Sequence, residues 1–143
     1  MKRICILYRA SPIYRRYVCF DEAVAEEILN YIDDPKKKKK LDYIVNRILC
    51  QDFMYYDDYV KLTGYADLSE MRFFPNGENA RIYCKEVNTA DGKYFVIAAK
   101  FLAKKKSQKI DKTIDQSIKP IEKYEYELEG IAGQNSSAPG EQN

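Results

Sequence analysis

Apolar positions along the chain change their spacing several times, and each change marks an element. Arg3 to Tyr8 carries the short apolar run Ile4-Cys5-Ile6-Leu7, which predicts a first strand over 3–8. Residues 10–19, with Ser11-Pro12 and Arg15-Arg16, read as an irregular link. Asp21 is a helix cap, and Val24, Ile28, Tyr31 and Ile32 then form a helical stripe, predicting a helix over 21–33. Asp34-Pro35 places a second cap and a proline at the first helical position. Leu41, Ile44, Val45, Ile48 and Leu49 follow at helical spacing, predicting a helix over 35–52. The Tyr- and Asp-rich segment 51–64 reads as a short helix or loop. From 68 to 101 three aromatic or β-branched runs are split by Asn76-Gly77 and Asp91-Gly92, the pattern of an antiparallel meander. Ile110, Ile114, Ile118, Ile121 and Leu128 mark a final helix, which Pro120 should kink or divide. The expected fold is therefore α+β, with two N-terminal helices packed on an antiparallel meander sheet and a C-terminal helix. Residues 1–129 form the domain, and the polar stretch 130–143 is expected to be a disordered tail.

Composition narrows the class. The 143 residues are 45% hydrophobic and 32% charged, which suits one domain with a real core. The net charge of +2 is too small to imply a polyanionic partner, so local clusters must carry that argument. No apolar run approaches the ~20 residues of a membrane span, and the N-terminal apolar stretch is too short for a signal peptide. The expectation is a cytoplasmic protein without membrane association. Cys5, Cys19, Cys50 and Cys84 lack zinc-ligand spacing, so free, mostly buried thiols are expected and no metal. There is no histidine, which excludes Ser-His-Asp and Cys-His catalysis and His-based zinc sites. Acid–base work would fall to Lys, Arg, Tyr, Asp or Glu.

Two groups of cations remain. On a strand side chains alternate between faces, so Arg81, Tyr83 and Lys85 share one face, with Arg72 near them. Lys104, Lys105, Lys106 and Lys109 follow the last strand directly. Lys36 to Lys40 occupy the first turns of the second helix, where cations oppose the helix dipole. Either group suits a phosphate backbone. Alternation alone favours a solvated face and a solvated charge cluster.

The run Thr63-Gly64-Tyr65-Ala66-Asp67-Leu68-Ser69-Glu70-Met71-Arg72 leads to Ala80-Arg81-Ile82-Tyr83, then to Phe101 and Lys105-Lys106-Ser107-Gln108-Lys109. In order and spacing this is similar to the RelE/ParE superfamily of toxins from toxin–antitoxin systems, and within it to the HigB-type, phage-associated branch. The resemblance runs over 2–129, with its specific motifs in 64–109. It implies a RelE-like fold and a metal-independent endoribonuclease that cuts messenger RNA, commonly at the ribosome, and needs no cofactor. The chemistry implied is attack of a 2′-hydroxyl on the adjacent phosphorus. It also implies a cognate antitoxin protein, expected to be of helix-turn-helix type. Carried over by residue, Arg72 and Arg81 match two strand arginines, Lys105 and Lys106 match twin lysines, and Tyr124 matches a tyrosine near the end of the last helix. Arg81, Lys105 and Tyr124 are the implied catalytic residues. Arg72, Tyr83, Lys85, Lys104, Lys106 and Lys109 are the implied RNA contacts. Three features depart from the family pattern. The segment from Phe101 to Lys106 is longer than the family's, which leaves open which of Lys104, Lys105 and Lys106 correspond. Pro120 stands where the family has an ordinary helix residue, which puts the place of Tyr124 in question. The polar tail has no counterpart. Two alternatives stand beside the nuclease: a ParE-like, non-nuclease toxin acting on DNA gyrase, and an inactive member that only binds a protein partner.

Overall fold

The computed structural model describes residues 1–50, 55–104 and 110–131. A β-hairpin opens the chain, from β1 (Arg3–Ser11) to β2 (Arg16–Asp21). Helices α1 (Glu22–Tyr31) and α2 (Pro35–Leu49) follow. Then come β3 (Tyr59–Lys61), β4 (Leu68–Phe73), β5 (Ala80–Asn88) and β6 (Tyr94–Leu102). Helix α3 (Lys112–Ile118) runs into a 3-10 turn at Lys119–Lys123, and β7 (Tyr126–Glu127) completes the order. All seven strands join one sheet in the order β3-β4-β5-β6-β2-β1-β7.

The expected RelE-like arrangement, two N-terminal helices on a meander sheet with a C-terminal helix, is corrected by this topology. The fold is mixed α+β, but a strand pair precedes the helices. The segment read as a link holds the hairpin turn and much of β2. Strand β2 pairs antiparallel with β1 and parallel with β6, so the sheet is mixed. The reason it escaped a search for alternation is physical. Tyr17, Val18, Cys19 and Phe20 are all buried, because both faces of this strand are covered. The C-terminal helix is also shorter than its stripe suggests. It ends at Ile118, two residues before Pro120, whose ring cannot continue an α-helix. The chain then returns to the sheet as β7, parallel to the start of β1.

The helical stripes do their expected work. Leu41, Ile44, Val45, Ile48 and Leu49 of α2 are all buried, as are Val24, Ala25 and Ile28 of α1. They pack on one face of the sheet with Val18, Phe20, Met71, Phe73, Ile82, Cys84, Val96 and Ala98. The opposite face carries Leu68, Tyr83 and Ala99 under Ile118 and Ile121, and Tyr17, Cys19, Phe95 and Ile97 near Tyr126 and Ile131. Ile131 is thus buried, although the tail was expected to begin at 130; residues 132–143 lie outside the described part. A register shift between Tyr83 and Cys84 leaves Ala99 as an extra residue in β6. This bulge reverses the alternation beyond it, so Phe101 packs with the helix-side core while Leu102 joins the other face. Cys5, Cys19 and Cys84 are buried and Cys50 is exposed, all as free thiols. Among the described residues no helix is long and apolar enough to cross a membrane.

Asp21 ties the two ends of the chain to α1. Its carboxylate accepts from the Ala23 amide at 2.9 Å, from Arg3 Nε at 2.7 Å and from the Tyr126 hydroxyl at 2.6 Å. Burial alone would raise its pKa, but these donors together hold it below the ordinary value. A carboxylate with a lowered folded-state pKa contributes stability above its unfolded pKa of about 4, and that contribution is lost as pH falls through the folded value. The urea midpoint should therefore drop on acidification from pH 5 to pH 3. Asp21→Asn should lower the midpoint at pH 7 by the equivalent of roughly 1–3 kcal/mol and flatten this part of the pH profile. An unchanged profile in the variant would show that other carboxylates control acid unfolding.

Candidate functional site

Strands β4 and β5 put four polar side chains on the face opposite α1 and α2. Glu70 stands opposite Tyr83 in register, and Arg72 stands opposite Arg81. Arg72 Nε donates to Glu70 Oε1 at 2.9 Å, and Arg81 Nε lies 3.6 Å from Glu70 Oε2. Glu70 is therefore shared by two guanidinium groups, one on its own strand and one across. The shared face of Arg81, Tyr83 and Lys85 is as alternation implied, but it is not solvated. Arg81 is 0% exposed and Tyr83 1% exposed. Over Tyr83 and Leu68 the covering comes from Ile118 and Ile121 of the C-terminal segment. Burial pulls the Arg81 guanidinium below its ordinary pKa, against the opposing pull of Glu70. Burial and the nearby Glu70 charge push the Tyr83 phenol up, so it stays protonated at neutral pH and is no base there.

Arg72 is the member of this group that reaches the outside, with 30% of its side chain exposed. It also lines an open cavity of about 280 Å³ together with Lys40, Arg47, Tyr56, Asp57, Asp58 and Pro75. The cluster thus has a buried half, Glu70, Arg81 and Tyr83, and an open half at Arg72.

The other implied residues do not converge on this point. Lys85 is spent on structure: its ammonium donates to the carbonyls of Glu122 and Tyr124, each at 2.7 Å, and ties the 3-10 turn to the sheet. Tyr124 consequently sits at the Lys85 end of the face. Arg81 and Lys85 are four strand residues apart, about 13 Å at ~3.3 Å per residue. The Tyr124 ring is capped by the Arg3 guanidinium at 3.9 Å and meets Tyr126 edge-on. Lys104 is exposed, two residues beyond Leu102, the register partner of Arg81. Lys105, Lys106 and Lys109 lie outside the described residues.

No family model, curated protein or solved structure matches this chain. The site must be weighed on its own geometry.

The second basic group, Lys36 to Lys40, is largely engaged within the protein. Lys37 lies over the Tyr31 ring at 4.6 Å and 3.5 Å from Glu78. Lys38 pairs with Asp42 at 2.8 Å, and Lys40 with Asp58 at 3.2 Å. Lys36 lies over the ring of Phe74. These contacts bind the start of α2 to the β4–β5 turn. Phe74 in that turn has φ 48, a conformation bulky residues rarely adopt. It is held there by the Gly77 and Asn79 amides, which donate to its carbonyl at 2.8 and 2.9 Å. Sequence reasoning passed over Arg47 and Tyr56 as site residues. The available signal was the stripe Lys40, Tyr43, Arg47, spaced to share one side of α2.

Proposed function

We propose that this protein is an RNA-directed toxin of the class its sequence resembles, a metal-independent endoribonuclease of the cytoplasm restrained by a small partner protein. The observation that carries this reading is the pair Arg72 and Arg81, in direct cross-strand register around the single carboxylate of Glu70. A guanidinium held in place by a buried partner suits charge stabilisation at phosphorus, since it stays charged and presents paired donors. The direct contact with RNA falls to Arg72, which is exposed. Arg81 acts through it: buried beside Glu70, it holds that carboxylate in place, and Glu70 in turn orients Arg72. Arg81 is thus a positioning residue rather than one that meets the phosphate. In the reaction the RNA 2′-oxygen bonds to the adjacent phosphorus and the bond from phosphorus to the 5′-oxygen breaks. A base takes the 2′-hydroxyl proton and the leaving 5′-oxygen gains one. Tyr83 is unsuited to be that base, and a lysine of the run beginning at Lys104 is the candidate.

The burial of Arg81 and Tyr83 also favours a second reading, in which the cluster is structural and the protein binds a partner without cutting RNA. Incubation of purified protein with messenger RNA in excess chelator, with and without ribosomes, separates the two. Cleavage in either reaction supports the nuclease; intact RNA in both supports the silent binder.

A further inference from the structure

The cavity beside Arg72 has the components of a nucleobase site. Tyr56 on its wall is 52% exposed, and the Arg47 guanidinium lies 3.7 Å from that ring's centroid. Outside this cavity Tyr43, 55% exposed, carries a second ring flanked by Arg47 and Lys40, each 5.5 Å from its centroid. Aromatic rings alternating with guanidinium and ammonium groups form the usual platform for single-stranded nucleic acid. The two aspartates on the wall differ. Asp58 is committed to structure, accepting from Arg47 Nη1 at 2.8 Å and from Lys40 at 3.2 Å. Asp57 is exposed at the cavity wall. Arg47 also keeps Nη2 buried with no hydrogen-bond partner, a donor left over after Asp58 has taken Nη1.

We propose that this cavity between α2 and the end of β4 holds an unpaired guanine of single-stranded RNA. The base lies against Tyr56 and Pro75. Asp57 accepts from the N1–H and N2 amino group of its Watson–Crick edge, and the Arg47 guanidinium, 3.7 Å from the Tyr56 centroid, backs the ring on which the base stacks. Lys40 and Arg72 stand at the rim for the flanking phosphates. A carboxylate fits that edge of guanine and repels the corresponding acceptors of uracil, so the preference comes from Asp57. An acidic protein segment suits the cavity less well, because Asp57 and Asp58 would oppose it.

This inference rests on the reading of the protein as RNA-directed, and its test needs no cleavage. Labelled 2′-O-methyl hexauridylate, and the same hexamer with one central guanine, cannot be cut by 2′-hydroxyl attack. Their affinities for wild type, Tyr56→Ala and Asp57→Asn would be read by fluorescence anisotropy, with far-ultraviolet circular dichroism confirming the fold of each. The expected results are tighter binding of the guanine hexamer by wild type and a loss of roughly 5- to 100-fold for it in Tyr56→Ala, as for one stacked base. In Asp57→Asn the preference for guanine should vanish while hexauridylate binds as well as before or more tightly. Equal affinity of wild type for the two hexamers, or full guanine preference in Asp57→Asn, would overturn the guanine site. Unchanged binding in a folded Tyr56→Ala protein would overturn the stacking platform. Intact messenger RNA together with a guanine preference lost in Asp57→Asn would reject the nuclease and keep this site.

Discussion

Arg81→Ala should unfold with a stability about 3–5 kcal/mol below that of the wild type. Arg81 is fully buried beside Glu70, itself 1% exposed, and removing one member of a buried pair strands the other. Arg72 still holds Glu70 at 2.9 Å, which offsets part of the loss, while the space vacated by the guanidinium adds to it. For a domain of this size the shift in thermal midpoint should be on the order of 10 °C. The double change Arg81→Leu with Glu70→Gln should recover much of the stability, because neither side then leaves a buried charge unpaired. Thermal and urea unfolding of the wild type, Arg81→Leu, Glu70→Gln and the double variant forms the cycle. A well-folded Arg81→Ala protein of wild-type stability would remove the buried pair from the account.

Arg72→Ala should show the opposite profile. Its own side chain is part exposed, but its 2.9 Å bond is to the buried Glu70, which Arg81 still faces at 3.6 Å, so the cost in stability should be about 1–3 kcal/mol, below that of Arg81→Ala. RNA cleavage per folded molecule should fall by roughly 10²- to 10³-fold, the loss typical of removing one preorganised donor to a developing charge. Arg72→Lys should rescue only in part, since the planar fork is lost. Arg81→Ala, assayed at a temperature where it is folded, should lose less, because it acts through Glu70 and Arg72. If Arg72→Ala cleaves at the wild-type rate while Arg81→Ala is inactive and folded, the roles of the two arginines are exchanged.

Much of the frame was readable from residues alone, and the failures share a cause. The α2 stripe, the caps Asp21 and Asp34, and the strands expected over 68–101 are all local patterns, and each forms where its pattern lies. The parallel pairing of β2 with β6 joins segments nearly eighty residues apart, and no local signal encodes it. The same holds for the site. Alternation put Arg81, Tyr83 and Lys85 on one face, and register confirms their neighbours. That Tyr83 on this face would be buried depends on Ile118 and Ile121, which come to it from a segment more than thirty residues further along the chain. The exposed cation is consequently Arg72, at the end of its strand. The aromatic pocket was hidden for a related reason. Segment 51–64 read only as a short helix or loop rich in Tyr and Asp, whereas Arg47 and Lys40, brought over from α2, take up Asp58 and leave Tyr56 and Asp57 exposed.

The central claim concerns the bond that breaks. Purified protein should be incubated with a messenger RNA in excess chelator, with ribosomes supplied in a parallel reaction, and the new RNA ends identified chemically. Attack by the 2′-hydroxyl predicts a 2′,3′-cyclic phosphate on one fragment and a 5′-hydroxyl on the other, both formed roughly 10²- to 10³-fold more slowly when Arg72→Ala is used. RNA left intact in both reactions, or fragments bearing 5′-phosphates, would contradict the account.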